Sequence, residues 1–126
     1  MSWLPAALWA GLLFWFSSRP PDPRAPNWLF QHDKLTHAVA FGILGALAYL
    51  AVRVGHRARP APAALWGWLF AAAYGATDEI HQSFVPSRNP DVVDWLADAA
   101  GAALTVVGFW AFERLRAALR AARGPR

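Results

Sequence analysis

The chain has 126 residues, of which 56% are hydrophobic and only 16% charged, whereas an average soluble domain has roughly 25% charged residues. Its net charge of +4 fits a nucleic-acid-binding protein, but most arginines directly follow apolar stretches, as topology signals do, so no nucleic-acid partner is predicted. Cysteine is absent, which excludes disulfides, thiolate metal sites and a cysteine nucleophile.

Four apolar segments predict helices over residues 2–18, 33–54, 62–83 and 91–113. The segments offer almost none of the polar face that a helix of a soluble bundle needs. Each segment approaches the roughly 20 residues that cross a bilayer. We therefore predict an all-α fold: an integral membrane bundle of four transmembrane helices, forming a single domain over residues 1–126 with a basic C-terminal tail at 114–126.

The connections between these segments are marked by proline and glycine. A cleaved signal peptide is the alternative for the first segment, but no Lys or Arg precedes its apolar run and no small-x-small site follows, so a retained helix is favoured. Prolines between residues 20 and 26 predict an extended connection. Gly55 and Pro60 end the second helix, and a turn with Pro86 and Pro90 follows the third.

The distribution of charge predicts the orientation of the bundle. The loop around Arg53 and the tail after Glu113 hold most of the twelve cationic side chains, whereas the other helix ends hold every acid except Glu113. Positively charged loops tend to stay in the cytoplasm. We therefore expect a multi-pass protein of the cell membrane with the N-terminus and the C-terminus both cytoplasmic.

A first polar cluster opens the second helix on the predicted outer side. Asp33 and His37 are one helical turn apart and can touch, and Lys34 lies beside them. A helix cap with an anchoring lysine is the simpler interpretation of these three residues.

A second polar cluster closes the third helix. Asp78 and His81 share one face of this helix, and Glu79 and Gln82 lie on the adjoining face. Carboxylates at a helix C-terminus oppose the helix dipole, so two of them need an explanation. They could hold a divalent cation, act as general acid and base, or pair with Arg88 and Lys34.

A third polar cluster runs from Arg88 into the fourth helix, where Asp91, Asp94 and Asp98 line one stripe. Asp98 lies about 10 Å further along the helix than Asp91, so it would sit below the membrane surface. An unpaired carboxylate at that depth costs several kcal/mol. Asp98 must therefore face the bundle, be protonated or have a partner.

Together the three clusters predict a site, although a structural polar network between helices is the alternative. The candidate catalytic residues are Asp78, Glu79, His81 and Asp94. The candidate metal ligands are Asp78, Glu79 and Asp94. The candidate ligand-binding residues are Asp33, Lys34, His37, Gln82, Arg88 and Asp98. No known cofactor motif accompanies them, so the cofactor is unknown.

Three short motifs occur in order along this stretch. Asp-Lys-x-x-His is present at Asp33, Lys34 and His37 and is followed by the aromatic Phe41. Asp-Glu-x-x-Gln is present at Asp78, Glu79 and Gln82 and runs into Phe-x-Pro-x-Arg at Phe84, Pro86 and Arg88. Asp-x-x-x-Asn-x-x-Gly is matched at Asp94 and Gly101, with Asp98 at the Asn position.

In these motifs the sequence resembles the VanZ-like family of membrane proteins, from Asp33 to Gly108. The resemblance implies a multi-pass bacterial membrane protein. The family's namesake is associated with low-level resistance to the glycopeptide teicoplanin, which the resemblance suggests for a relative. The acid at position 98 puts in doubt any role that needs a neutral amide there.

Three hypotheses follow for the function. In the first, an outward-facing polar cluster in the cell envelope binds a cell-wall precursor, a lipid headgroup, a glycopeptide or a partner protein. In the second, the protein is a membrane-embedded hydrolase or transferase that uses a carboxylate, histidine and arginine site, with or without a metal ion, on a lipid-linked or phosphate-bearing substrate. A proton or ion pathway through Asp98 is weaker, because almost nothing polar beyond Thr105 lines the cytoplasmic half. The lipid bilayer is the one partner common to all three, and the oligomeric state is unknown.

Overall fold

A computed structural model describes residues 2–20, 24 and 33–123 of the chain. Within these residues it contains four α-helices and no strand: α1 (Leu4–Ser17), α2 (Asp33–Leu50), α3 (Pro60–Gln82) and α4 (Val92–Ala122). The predicted all-α fold is confirmed. The predicted extended connection at residues 20–26 falls almost entirely outside the described residues, as do the last three residues of the basic tail.

The helix ends follow from local sequence. Pro60 begins α3 in the first turn, where its missing N–H is not needed, and Arg59 before it is extended. Asp91 caps α4 by accepting a hydrogen bond from the Val93 backbone N–H at 2.8 Å. α4 continues beyond residue 113 through most of the basic tail.

A π-helical turn over Ala51–Gly55 extends α2. Arg57, in the loop that follows, adopts a positive φ of 52°. The turn positions Arg53 so that its guanidinium binds the carboxylate of Glu113 on α4, with a shortest N–O distance of 2.8 Å. Tyr49, which is fully buried, donates a hydrogen bond to the same carboxylate at 2.6 Å.

The helices alternate in direction along the bundle. Trp3 at the start of α1 donates a hydrogen bond to His56 after α2, and Ser18 after α1 contacts His81 at the end of α3. Indole N–H groups also bind backbone carbonyls of neighbouring helices, from Trp9 to Ala40, from Trp68 to Ala99 and from Trp95 to Ala72. α2 and α4 run parallel, since Lys34 meets Asp91 near their starts and Tyr49 meets Glu113 further along, and α3 packs antiparallel against both.

The most extensive packing is between α2 and α4, where small residues let the two backbones approach closely. A Cβ added at Gly101 of α4 would overlap the carbonyl of Ala38 on α2. Gly42 lies against Thr105, and Gly45 lies against Ala102. The sequence pattern also suggests Gly108 as a packing position, but nothing lies within 4 Å of a Cβ placed there.

Two helical segments are long and apolar enough to cross a membrane, Asp33–Gly55 and Val92–Ala122. α1 is apolar but has only 14 residues, about 21 Å of helix, which is shorter than the roughly 30 Å bilayer core. α3 has 23 residues, which is long enough, but its composition is not that of a membrane span. Large apolar side chains such as Leu8, Trp66 and Leu104 point outward. Four crossings therefore remain a prediction.

The contact between α2 and α4 gives the first test. We expect Gly101→Ala to destabilise the protein by roughly 1–3 kcal/mol through overpacking, because the added methyl group must displace the backbone of α2. The measurement is the thermal midpoint of the purified protein in detergent, together with its amount in the membrane. Gly108→Ala, which adds the same methyl group into open space, is the matched control. Equal midpoints for the two variants would contradict the described contact.

Candidate functional site

The alternating helix directions bring three helix ends together. α2 and α4 begin at the end of the bundle where α3 finishes, so polar side chains that are far apart in sequence become neighbours. We define the polar cluster as the group they form there: Asp33, Lys34, His37, Glu79, Asp91, Asp94 and Asp98.

Lys34 connects α2 to α4 at the exposed edge of the polar cluster. Its ammonium group donates a hydrogen bond to Asp91 at 2.8 Å and another to Asp94, and lies 3.7 Å from Asp33. The hydrogen bond from Lys34, together with one from the Val93 backbone N–H, lowers the pKa of Asp91 below that of an ordinary aspartate. The carboxylates of Asp33 and Asp91 are half-exposed, whereas that of Asp94 is mostly buried.

His37 and Asp98 form the buried part of the same α2–α4 contact. Imidazole Nδ1 lies 2.9 Å from Asp98 Oδ1, and the ring is stacked parallel to Phe41. Asp98 is fully buried, and its second oxygen, Oδ2, has no hydrogen-bond partner among the described residues. A Cβ placed on Gly75 of α3 would lie 3.0 Å from that oxygen, so the glycine leaves room beside it.

Glu79 is the contribution of α3 to the polar cluster. One carboxylate oxygen accepts a hydrogen bond from the backbone N–H of Asp91 at 2.7 Å. The other, Oε1, is buried and has no partner in the described part of the chain. Such a group costs about 1–3 kcal/mol or more if it stays unsatisfied, so this oxygen calls for a ligand or a proton.

Two sets of side chains in the polar cluster have the spacing of metal ligands. They are His37 with Glu79 and Asp98, and His37 with Asp33 and Asp94, and within each set the ligand atoms lie within 4.8 Å of one another. The sequence suggests a different set. Its candidates Glu79 and Asp94 fall into separate groups, and Asp78 belongs to neither.

Asp78 and Gln82 are buried, and Asp78 is a member of neither set of possible metal ligands. The side-chain amide of Gln82 donates a hydrogen bond to Asp78 Oδ2 at 3.0 Å, within α3. The pair satisfies part of its own hydrogen-bonding capacity, as neighbouring residues on one helix face often do. Within the described residues Asp78 accepts its hydrogen bond from Gln82, while its charge acts on nearby Asp98.

The structure places His81 and Arg88 against the end of α1. His81 Nε2 lies 3.0 Å from the hydroxyl of Ser18, and its ring packs on Phe14. Arg88 donates hydrogen bonds to the backbone carbonyls of Arg19 at 3.0 Å and Phe16 at 3.4 Å. A guanidinium used in this way satisfies the last carbonyls of a helix, and here it ties α1 to the loop before α4.

Sequence reasoning assigned Arg53 and Glu113 only to topology and did not consider Tyr49. The structure joins the three at the end of the bundle opposite the polar cluster. The available signal was the spacing of Tyr49 and Arg53, four residues apart on the helix face toward α4. Arg53 also donates to the Ala58 carbonyl at 3.0 Å, so this group has matched charges and several hydrogen bonds.

Among known proteins, the chain matches one family. The family model VanZ/LLP1 matches residues 2–113, which include α1 and every residue of the polar cluster. No curated protein and no solved structure gives a significant match. The match extends beyond the Asp33–Gly108 stretch that carries the motif resemblance.

The role of Lys34 gives the second test. Lys34→Gln leaves the mostly buried carboxylate of Asp94 without its ammonium partner. We expect the thermal midpoint in detergent to fall by about 3–6 °C, the equivalent of about 1 kcal/mol. Arg120→Gln, which removes an exposed cation from the last turns of α4, controls for the change in net charge. Equal thermal midpoints for the two variants would show that the Lys34 contacts do not stabilise the protein.

Proposed function

Because the chain belongs to the VanZ/LLP1 family, we propose that it is a multi-pass protein of the cell membrane whose four helices all cross the bilayer. Alternating helix directions and outward-facing apolar side chains support this arrangement. Both termini are assigned to the cytoplasm, because arginines dominate the loop after α2 and the end of α4. The polar cluster then faces the cell exterior.

In this orientation the function of the polar cluster is to bind a component of the cell envelope. The observation that carries the proposal is the convergence of ionisable side chains from three helices at one end of an otherwise apolar bundle. Ionisable groups in such a setting are costly and are typically retained for function. The half-exposed carboxylates of Asp33 and Asp91 form the rim, and buried Glu79 and Asp98 form the floor.

The charge of the polar cluster restricts the ligand. It contains five carboxylates, and its ammonium group, from Lys34, is already bound by Asp91 and Asp94. Binding therefore requires positive charge, either on the ligand itself or on a cation bound with it. Lipid headgroups, cell-wall precursors and glycopeptides such as teicoplanin are the classes of envelope component that fit this proposal.

A second candidate function is a membrane-embedded hydrolase or transferase. It is favoured by the contact between His37 and Asp98, because a buried carboxylate that orients an imidazole is a common arrangement for a general base. Glu79 would supply a second carboxylate, which has an oxygen within 4.8 Å of an imidazole nitrogen. The two functions share the same residues and differ in whether the bound component is released chemically changed.

Binding is tested with the purified full-length chain, using the fluorescence of its eight tryptophans. The probes are phosphatidylethanolamine, phosphatidylglycerol, undecaprenyl phosphate and teicoplanin, each titrated separately with and without a divalent cation, because two of them carry no positive charge. We expect saturable binding of at least one probe and a loss of about tenfold or more in His37→Gln. His56→Gln, the same substitution at the opposite end of the bundle, is the control. Absence of binding, or equal affinity in both variants, would refute the proposal.

The same samples distinguish the second function from the first. The probe recovered after incubation is analysed by mass spectrometry for a hydrolysed or transferred product. An unchanged probe supports binding alone. A product that forms with the wild type and not with His37→Gln supports the enzyme.

Orientation is tested by single cysteines, since the chain has none of its own. Ser87 and Arg57 both lie in exposed turns at opposite ends of the bundle. In intact cells a membrane-impermeant maleimide should label Ser87→Cys and spare Arg57→Cys, and both should react after lysis. Labelling of Arg57→Cys alone would reverse the proposed orientation.

A further inference from the structure

The floor of the polar cluster combines three side chains from three different helices. His37 comes from α2, Glu79 from α3 and Asp98 from α4, and one ligand atom from each lies within 4.8 Å of the others. Ligand atoms around a tetrahedral zinc ion are about 3.3 Å apart at metal–ligand distances near 2.0 Å. Binding of an ion therefore requires ligand atoms that are up to 4.8 Å apart to approach to about 3.3 Å.

Two buried oxygens in this group have no hydrogen-bond partner in the described residues. They are Oε1 of Glu79 and Oδ2 of Asp98. The two residues are 8% and 0% exposed, respectively, so bulk water does not satisfy them. Buried carboxylates are normally paired, hydrogen-bonded or bound to metal.

The charge balance of the group also calls for a cation. Glu79 and Asp98 carry two negative charges when ionised, and His37 can supply at most one positive charge. Lys34 is occupied by Asp91 and Asp94, and Arg88 binds backbone carbonyls at the end of α1. A divalent ion with two carboxylates and a neutral imidazole makes the group neutral, which lowers the cost of burying it.

We infer that His37, Glu79 and Asp98 form a binding site for a divalent transition-metal ion. An imidazole ligand favours zinc and its neighbours over magnesium or calcium. Three protein ligands leave a position free for an oxygen atom of a bound molecule. The inference deepens the proposed function and rests on it for biological purpose: the ion supplies the positive charge that an anionic envelope component needs at this acidic cluster.

The second possible set, His37 with Asp33 and Asp94, is the weaker one. Its two carboxylates are already within contact distance of the Lys34 ammonium, which an ion would have to displace. Asp33 is also half-exposed, whereas Glu79 and Asp98 are buried. An ion bound by His37, Glu79 and Asp98 leaves the Lys34 contacts intact.

The test uses cobalt(II), which reports its coordination by visible absorption and is displaced by zinc. The full-length protein is purified in detergent, treated with chelator and titrated without any envelope component. We expect one cobalt ion per chain, displaced by one equivalent of zinc. Glu79→Gln and Asp98→Asn should each weaken binding about tenfold or more. His56→Gln, which removes a histidine at the opposite end, and Asp94→Asn should retain it.

Each outcome decides the inference. Absence of stoichiometric cobalt binding, or unchanged cobalt affinity in Glu79→Gln, would overturn the inference. Loss of cobalt binding in Asp94→Asn alone would also overturn it and would assign the ion to His37, Asp33 and Asp94. If Asp98→Asn does not fold, Glu79→Gln decides, because its amide oxygen can still accept the Asp91 hydrogen bond. Metal binding without binding of any envelope probe would support the metal site and reject the proposed function alone.

Discussion

The direct backbone contact between α2 and α4 determines the rest of this structure. Gly101 lies so close to the carbonyl of Ala38 that no side chain fits between them. Because the two helices run parallel, this contact fixes their register, that is, which residues of α4 lie opposite each residue of α2. Lys34, one helical turn before the contact on α2, consequently meets Asp91 and Asp94, which precede it by about two to three turns on α4. At the far end the same register brings Tyr49 and Arg53 to Glu113.

The two ends of the bundle differ in whether their buried charges are matched by partners. At one end Glu113 receives hydrogen bonds from Arg53 and Tyr49, and its charge is matched by the guanidinium. Such a group holds two helices together and leaves little capacity for a ligand. At the other end acids outnumber bases, and two buried oxygens lack partners within the described residues. A polar network that served packing alone would satisfy its own atoms. The end that carries the polar cluster is therefore the one whose side chains can still bind a ligand.

Much of this arrangement could be predicted from the sequence, because apolar runs mark the helices and alternating directions bring distant acids to one end. The individual roles were harder to predict. α3 is apolar on nearly every side, so its sequence gives no indication of whether Asp78 or Glu79 points toward α4. Arg88 follows Ser87, whose positive φ of 63° turns the chain toward α1, and no spacing rule predicts that turn. Similarly, the contact of His81 with Ser18 depends on where α1 packs.

The parallel pairing of α2 and α4 has a consequence for biosynthesis. Lys34 and His37 leave the ribosome well before Asp91, Asp94 and Asp98, which are their main partners. Until α4 is synthesised, Lys34 has Asp33 beside it but lacks Asp91 and Asp94, and His37 lacks Asp98. Packing of α4 against α2 supplies all three carboxylates together and completes the buried group. A chain interrupted before α4 therefore leaves Lys34 and His37 without these carboxylates, so the buried group forms only after the last helix is synthesised.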